Sequence, residues 1–194
     1  MNFGICSLAL HEIEKLRTDS IAVFLFEDVV PLRGMAGMID WRLNGMISRE
    51  IKKERIRGDY EEKIIIPFLP RIGSEMLLLF GLGKVSDINY GKIYNASYLI
   101  TQTVDKMALD SCAFDLYGQG RLNLVTSNIT EAVVTGIFDV LSSNIEKLSN
   151  MKACLVTSSS HLQDVSLGLK QFKTNVNDRG SVDISTLEEI FVLS

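Results

Sequence analysis

Residues 76–84 read Met76-Leu77-Leu78-Leu79-Phe80-Gly81-Leu82-Gly83-Lys84. The run from Met76 to Leu82 has no polar alternation, so it reads as a strand covered on both faces. The two glycines and the lysine then mark a turn. The same pattern recurs outward along the chain. Ile21–Phe26 is a second apolar run, and Phe3–Leu10, Ile64–Phe68, Ser111–Leu116 and Ala153–Thr157 are further candidate strands. Strands of this kind belong to sheets with helices packed on both sides.

The segments between them carry helical spacing. From Arg33 to Lys53, the residues Met35, Met38, Ile39, Leu43, Met46, Ile47 and Ile51 fall on one face. A second helix is expected over about Asp87–Ala108, with Tyr90, Ile93, Ile100, Val104 and Met107 inward. Asn128 stands three residues before Glu131, the spacing of an N-cap and its return partner, and opens a helix to about Leu148. Ser160 and Gln163 repeat that spacing before a helix to about Phe172. Asn175–Ile184 reads as a loop. Ser185 and Glu188 repeat the capping spacing before Thr186–Leu193, a short helix with a last strand as the alternative. The order gives an α/β fold: a mixed, mostly parallel sheet with helices on both faces. Right-handed crossovers are expected, and ligands in such sheets gather beyond the carboxyl ends of the strands.

A length of 194 residues suits one domain, 1–194. Hydrophobic residues at 46% and charged residues at 23% argue against disorder, collagen and coiled coil. Twenty basic residues against 24 acidic ones give −4, which removes the usual electrostatic reason to expect nucleic acid. The longest apolar runs are far short of the ~20 residues that span a bilayer. No basic region precedes the first apolar stretch, so neither an export signal nor membrane association is expected. Cys6, Cys112 and Cys154 are widely spaced and lie in apolar runs. They read as buried reduced thiols of a cytoplasmic protein, neither a disulfide framework nor a zinc site.

Two turns are candidate anion sites. Gly81, Gly83 and Lys84 follow a strand, where backbone N–H groups and a lysine could meet a phosphate. A P-loop would need glycine at position 78 and Ser or Thr at 85, where Leu78 and Val85 stand. A plain strand-ending turn is the favoured reading of the glycines. Arg33, Gly34 and Gly37 open a helix, where unpaired N–H groups suit an anion, although a tight helix entry packed close on the sheet is the favoured reading. His11 and His161 are the only histidines. Ser158, Ser159 and Ser160 precede His161, but adjacent residues at a helix start rarely converge as nucleophile and base, and Ser160 reads as a cap. Arg49, Lys52, Lys53, Arg55 and Arg57 form a basic cluster diluted by Glu50 and Glu54, as expected of a solvated helix end. Asn95 and Asn128 begin glycosylation-like triplets that read as chance. No carboxylate pair or metal-ligand spacing stands out.

Three stretches resemble one family in the right order. Gly34–Gly37 followed by Asp40, Trp41, Gly45 and Ser48 resembles a helix start in the N-terminal domain of the leucyl aminopeptidase family, the two-metal cytosol aminopeptidases. Leu77–Lys84 resembles that domain's strand ending in Gly-Leu-Gly-Lys. Glu131–Val140 resembles a later helix with a central glycine and an aromatic two residues on, here Gly136 and Phe138. The likeness covers roughly residues 20–150.

The resemblance implies a macro-domain-like three-layer sandwich. It also implies that metals, catalytic lysine and bicarbonate-binding arginine belong to a larger C-terminal domain. The family's metal-binding Asn-Thr-Asp-x-Glu-Gly-Arg run appears nowhere in the sequence. No catalytic residue, metal ligand or cofactor is therefore carried over, and aminopeptidase activity is not expected. The expectation is a stand-alone, non-catalytic relative acting as an interaction, assembly or regulatory module, with a protein partner or its own copies. The alternative is a macro-domain-type binder of ADP-ribose or a related nucleotide at Gly34–Gly37. Some bacterial relatives act as DNA-binding accessory proteins, which the net charge of −4 argues against.

Overall fold

The computed structural model describes residues 2–7, 10–116, 123–177 and 185–187. The strands are β1 (Asn2–Ser7), β2 (Ser20–Leu25), β3 (Lys63–Pro67), β4 (Met76–Gly81), β5 (Ser111–Asp115), β6 (Lys152–Thr157) and β7 (Ser185–Leu187). The helices are α1 (Leu10–Lys15), α2 (Gly34–Arg42), α3 (Met46–Lys52), α4 (Tyr90–Lys106), α5 (Thr126–Leu141), α6 (Ile145–Asn150) and α7 (Leu162–Asn177).

Among the described residues the strands form one seven-stranded sheet in the order β3-β4-β2-β5-β6-β1-β7. Only β3 runs antiparallel, pairing with β4 at the sheet end. The expected mixed, mostly parallel sheet is thus observed. Side chains on successive strand residues point to opposite faces. On β2, Ala22 and Phe24 join α4, α5 and α7 in one apolar layer. Ile21, Val23 and Leu25 join α1, α2 and α3 in the other. Both faces of the central strands are therefore dry, which is why their sequences lack alternation. Phe3, Phe80, Phe114 and Phe172 are fully buried, each contributing about 1.5–3 kcal/mol.

The helix boundaries correct the sequence reading in several places. The single helix expected over Arg33–Lys53 is two, because Asn44 (φ 55) and Gly45 (φ 72) take left-handed backbone conformations. The helix expected from Asp87 starts later: Val85–Asp87 is a 3-10 turn, and the Asn89 side chain caps α4 by accepting from Lys92 N. Asn128 is not a cap but lies inside α5, whose N-cap is Val125. That helix ends at Leu141, and the Asn144 side chain caps a separate α6. Ser160 sits in a 3-10 turn, and α7 runs past Phe172 to Asn177, into the segment expected as loop. The first strand ends at Ser7, and α1 had no counterpart in the reading. Ser185–Leu187 takes the strand alternative; residues 178–184 and 188–194 lie outside the described residues. The expectation of three reduced thiols is also corrected. Parallel pairing of β1 and β6 puts Cys6 and Cys154 on one face, Cα–Cα 6.4 Å, joined as a disulfide. Cys112 is the free, buried thiol.

Candidate functional site

The loops beyond β2, β4 and β6 share the carboxyl edge of the parallel strands, where such sheets place ligands. The turn after β4 is stitched into the fold. Gly81 N donates to Glu62 O, Leu82 N to Leu25 O and Gly83 N to Gly58 O, at 2.8, 2.8 and 2.9 Å. Side-chain atoms at Gly81 would meet Asp59 O at 1.9 Å, so close packing against the 58–62 segment accounts for that glycine. Lys84 Nζ pairs with Glu27 at 3.5 Å, and Asp28 accepts from Val85 N at 3.1 Å. The Gly81, Leu82, Gly83 and Val85 N–H groups are already engaged, and carboxylates flank the lysine.

Arg33, Gly34 and Gly37 sit at the start of α2. Arg33 is the extended N-cap residue, and no side chain caps the helix. Gly34 has φ +59 with open space beside it, whereas a Cβ at Gly37 would meet Leu32 O at 2.8 Å. Gly37 thus serves the tight helix entry. The structure brings Gly83 and Lys84 to Glu27. Among the described residues no hydrogen bond or ion pair joins them to Arg33, Gly34 or Gly37.

Asp115 was missed by the sequence reading. It ends β5, is 4% exposed, and its Oδ2 has no hydrogen-bond partner. Apolar neighbours, including Phe26, Leu82 and Ile129, surround a small cavity beside it. Burial pushes its carboxyl up to about 7. The available signal was an aspartate closing the apolar run Cys112-Ala113-Phe114.

His161 Nδ1 meets Asp164 at 3.2 Å, while the Ser158 and Ser160 hydroxyls bond each other at 2.8 Å. His161 is thus bonded to Asp164 and Ser160 to Ser158, which is not the nucleophile–base pairing that hydrolysis needs. The side chain of His11 lies outside the described residues. In the basic cluster, Lys53 and Arg55 both pair with Glu50, at 2.8 and 3.1 Å. The Lys53 hydrogen bond, chiefly, holds the Glu50 carboxyl below its ordinary range. Asn95 donates to the Tyr60 hydroxyl and to Glu61, each at 2.9 Å. Among the described residues no group of three His, Cys, Asp or Glu is placed to hold a metal. No described helix is long and apolar enough to cross a membrane.

The model of the cytosol aminopeptidase family, N-terminal domain, matches residues 22–143. The chain belongs to this family. The match runs from β2 through α5 and contains all three resembling stretches. A curated Sulfurihydrogenibium protein, "Probable cytosol aminopeptidase", is 26% identical over 132 residues, 67% of this chain and 26% of its own length. The cytosol aminopeptidase of Buchnera aphidicola is 31% identical over 124 residues, 64% of this chain and 23% of its own. The chain spans about a quarter of the length of the curated relatives it matches.

Solved structures carry the same architecture as this aminopeptidase-family domain. An Oceanobacillus iheyensis macrodomain solved with ADP superposes at TM-score 0.66 and 16% identity, covering 86% of this chain and 89% of that one. A tomato leucine aminopeptidase superposes at TM-score 0.57 and 16% identity, covering 87% of this chain and 35% of that one. The macro-domain-like fold expected from the resemblance is therefore observed.

Proposed function

We propose that this aminopeptidase-family domain is a non-catalytic interaction and assembly module whose first partner is a second copy of the chain. The observation that carries the reading is Phe68. This residue follows the end strand β3, has φ 57, and leaves its ring 91% exposed. A left-handed conformation costs a non-glycine residue about 1–2 kcal/mol, and an aromatic ring in water gains nothing from burial. Ile65 on β3 is also 45% exposed, so the apolar surface extends along the strand. Aromatic residues exposed in this way are the usual anchors of protein interfaces.

Sedimentation velocity over a concentration series tests the reading. Self-association is expected, and Phe68→Ser should return the protein to monomer. Wild-type protein that stays monomeric up to about 100 µM overturns it.

A second reading places a nucleotide of the ADP-ribose type at the start of α2. It is favoured by the uncapped first turn of α2 and the open space at Gly34. The macrodomain solved with ADP supplies the ligand class. Calorimetry with ADP-ribose should then show saturable heat that Arg33→Glu abolishes. Arg33 is exposed, so this change spares the packing that Gly37 serves. No heat at saturating nucleotide removes the reading.

A further inference from the structure

A cleft of about 430 Å³ lies between the α2–α3 corner and the segment joining β3 to β4. That volume is within the roughly 300–1,000 Å³ of small-molecule sites. It is distinct from the β4 turn: Gly81, Gly83 and Lys84 do not line it. Trp41, Arg42, Asn44 and Arg71 do, together with Asp40.

The chemistry of these groups is complementary to a planar anion. Trp41 leaves its indole 64% exposed beside the cleft. The Arg42 guanidinium lies over the indole, 5.9 Å from its centroid, so one face of the ring carries a positive charge and the other is left for a ligand ring. Arg42 Nη2 is held by Glu14 at 2.6 Å, but its Nε is buried with no acceptor. Arg71 makes a long 3.4 Å bond to Asn44 Oδ1 and no ion pair with a described residue. Its remaining N–H groups are available for a fork-shaped bond to a carboxylate. Asp40 is the one carboxylate lining the cleft, and both its oxygens accept from Ser48.

From this set we infer that the cleft binds a small organic carboxylate carrying a planar ring, with the ring on Trp41 and the carboxylate on Arg71. Trp41 is the only tryptophan in the chain, so tryptophan-selective emission reports on this cleft. The probe is N-acetylphenylalanine, compared with its uncharged amide and with acetate. The expected result is a saturable change in Trp41 emission with the acid. The amide should bind at least about tenfold more weakly, as should the acid to the Arg71→Gln variant. Acetate, lacking the ring, should give no saturable change. The acid–amide comparison on wild-type protein stands whether or not the variant folds. No saturable change up to about 10 mM acid, or equal affinity for acid and amide, overturns the inference.

Discussion

Asp40 and Ser48 are joined across the corner between α2 and α3. The Ser48 backbone N donates to Asp40 Oδ1 at 3.0 Å, and the Ser48 hydroxyl donates to Oδ2. The carboxylate is 8% exposed and sits at the first turn of α3, where N–H groups lack intrahelical partners. Asp40→Ala should therefore destabilise the fold by about 1–3 kcal/mol. Ser48→Ala, which keeps the backbone bond, should cost about 1 kcal/mol or less. Urea unfolding of the two variants checks the order. Equal midpoints would show that the carboxylate does not hold the corner.

Asp115 should give stability an unusual pH dependence. Burial raises its carboxyl from 3.8 to about 7, so the folded state holds a proton that the unfolded chain releases. Stability from this group is full below about pH 4 and falls as pH rises toward 7, by about 1.4 kcal/mol per unit over that window. Asp115→Asn keeps the shape and removes the proton. Its melting temperature should exceed that of wild type at pH 8 and match it near pH 4. Parallel pH profiles for the two proteins would contradict the buried-acid account.

Gly136 of α5 lies against α4. A Cβ there would meet Tyr94 O at 2.6 Å and Tyr98 N at 3.0 Å. Both are backbone atoms of a helix and cannot swing aside. Alanine is the better helix former by about 1 kcal/mol. Overpacking costs about 1–3 kcal/mol and decides the sign. Gly136→Ala should lower the unfolding free energy, with a denaturation midpoint below that of wild type. A raised midpoint would mean that the two helices separate more readily than this contact indicates.

Cys112 is fully buried, and burial pushes its thiol up to about 12. The thiolate is the reactive form. Iodoacetamide at pH 8 should leave Cys112 unmodified in native protein and label it fully in urea, as read by peptide mass spectrometry. Rapid native labelling would show that the sheet opens at β5.

The parts of the fold legible in the sequence were those fixed by local chemistry. The runs at Ile21–Phe26, Met76–Leu82, Ser111–Leu116 and Ala153–Thr157 correspond to β2, β4, β5 and β6 because each is mostly apolar without alternation, and that signal needs no tertiary information. The break between α2 and α3 was also present, as the Asn44-Gly45 pair, but the regular apolar spacing from Met35 to Ile51 masked it. Cap choice was not legible. Asn89 and Asn144 cap helices while Asn128 does not, because the chain enters α5 earlier. The glycines at the end of β4 and just beyond it look like a ligand turn, yet the 58–62 segment that fills the space beside Gly81 comes from elsewhere in the chain. Trp41 and Arg71 meet at one cleft although thirty positions apart, and no spacing rule anticipates that.

The position of β1 in the sheet bears on how the protein is made. Its neighbours are β6 and β7, so residues 2–7 contact residues 152–157 and 185–187. During translation this apolar strand leaves the ribosome long before either neighbour exists, while β2, β4 and β5 can already join. The early part of the chain therefore carries an unmatched strand until residues 152–157 have been made. A helper that shields short apolar segments near the exit tunnel would have its natural target there, and stalled chains ending before residue 152 should be the ones it retains.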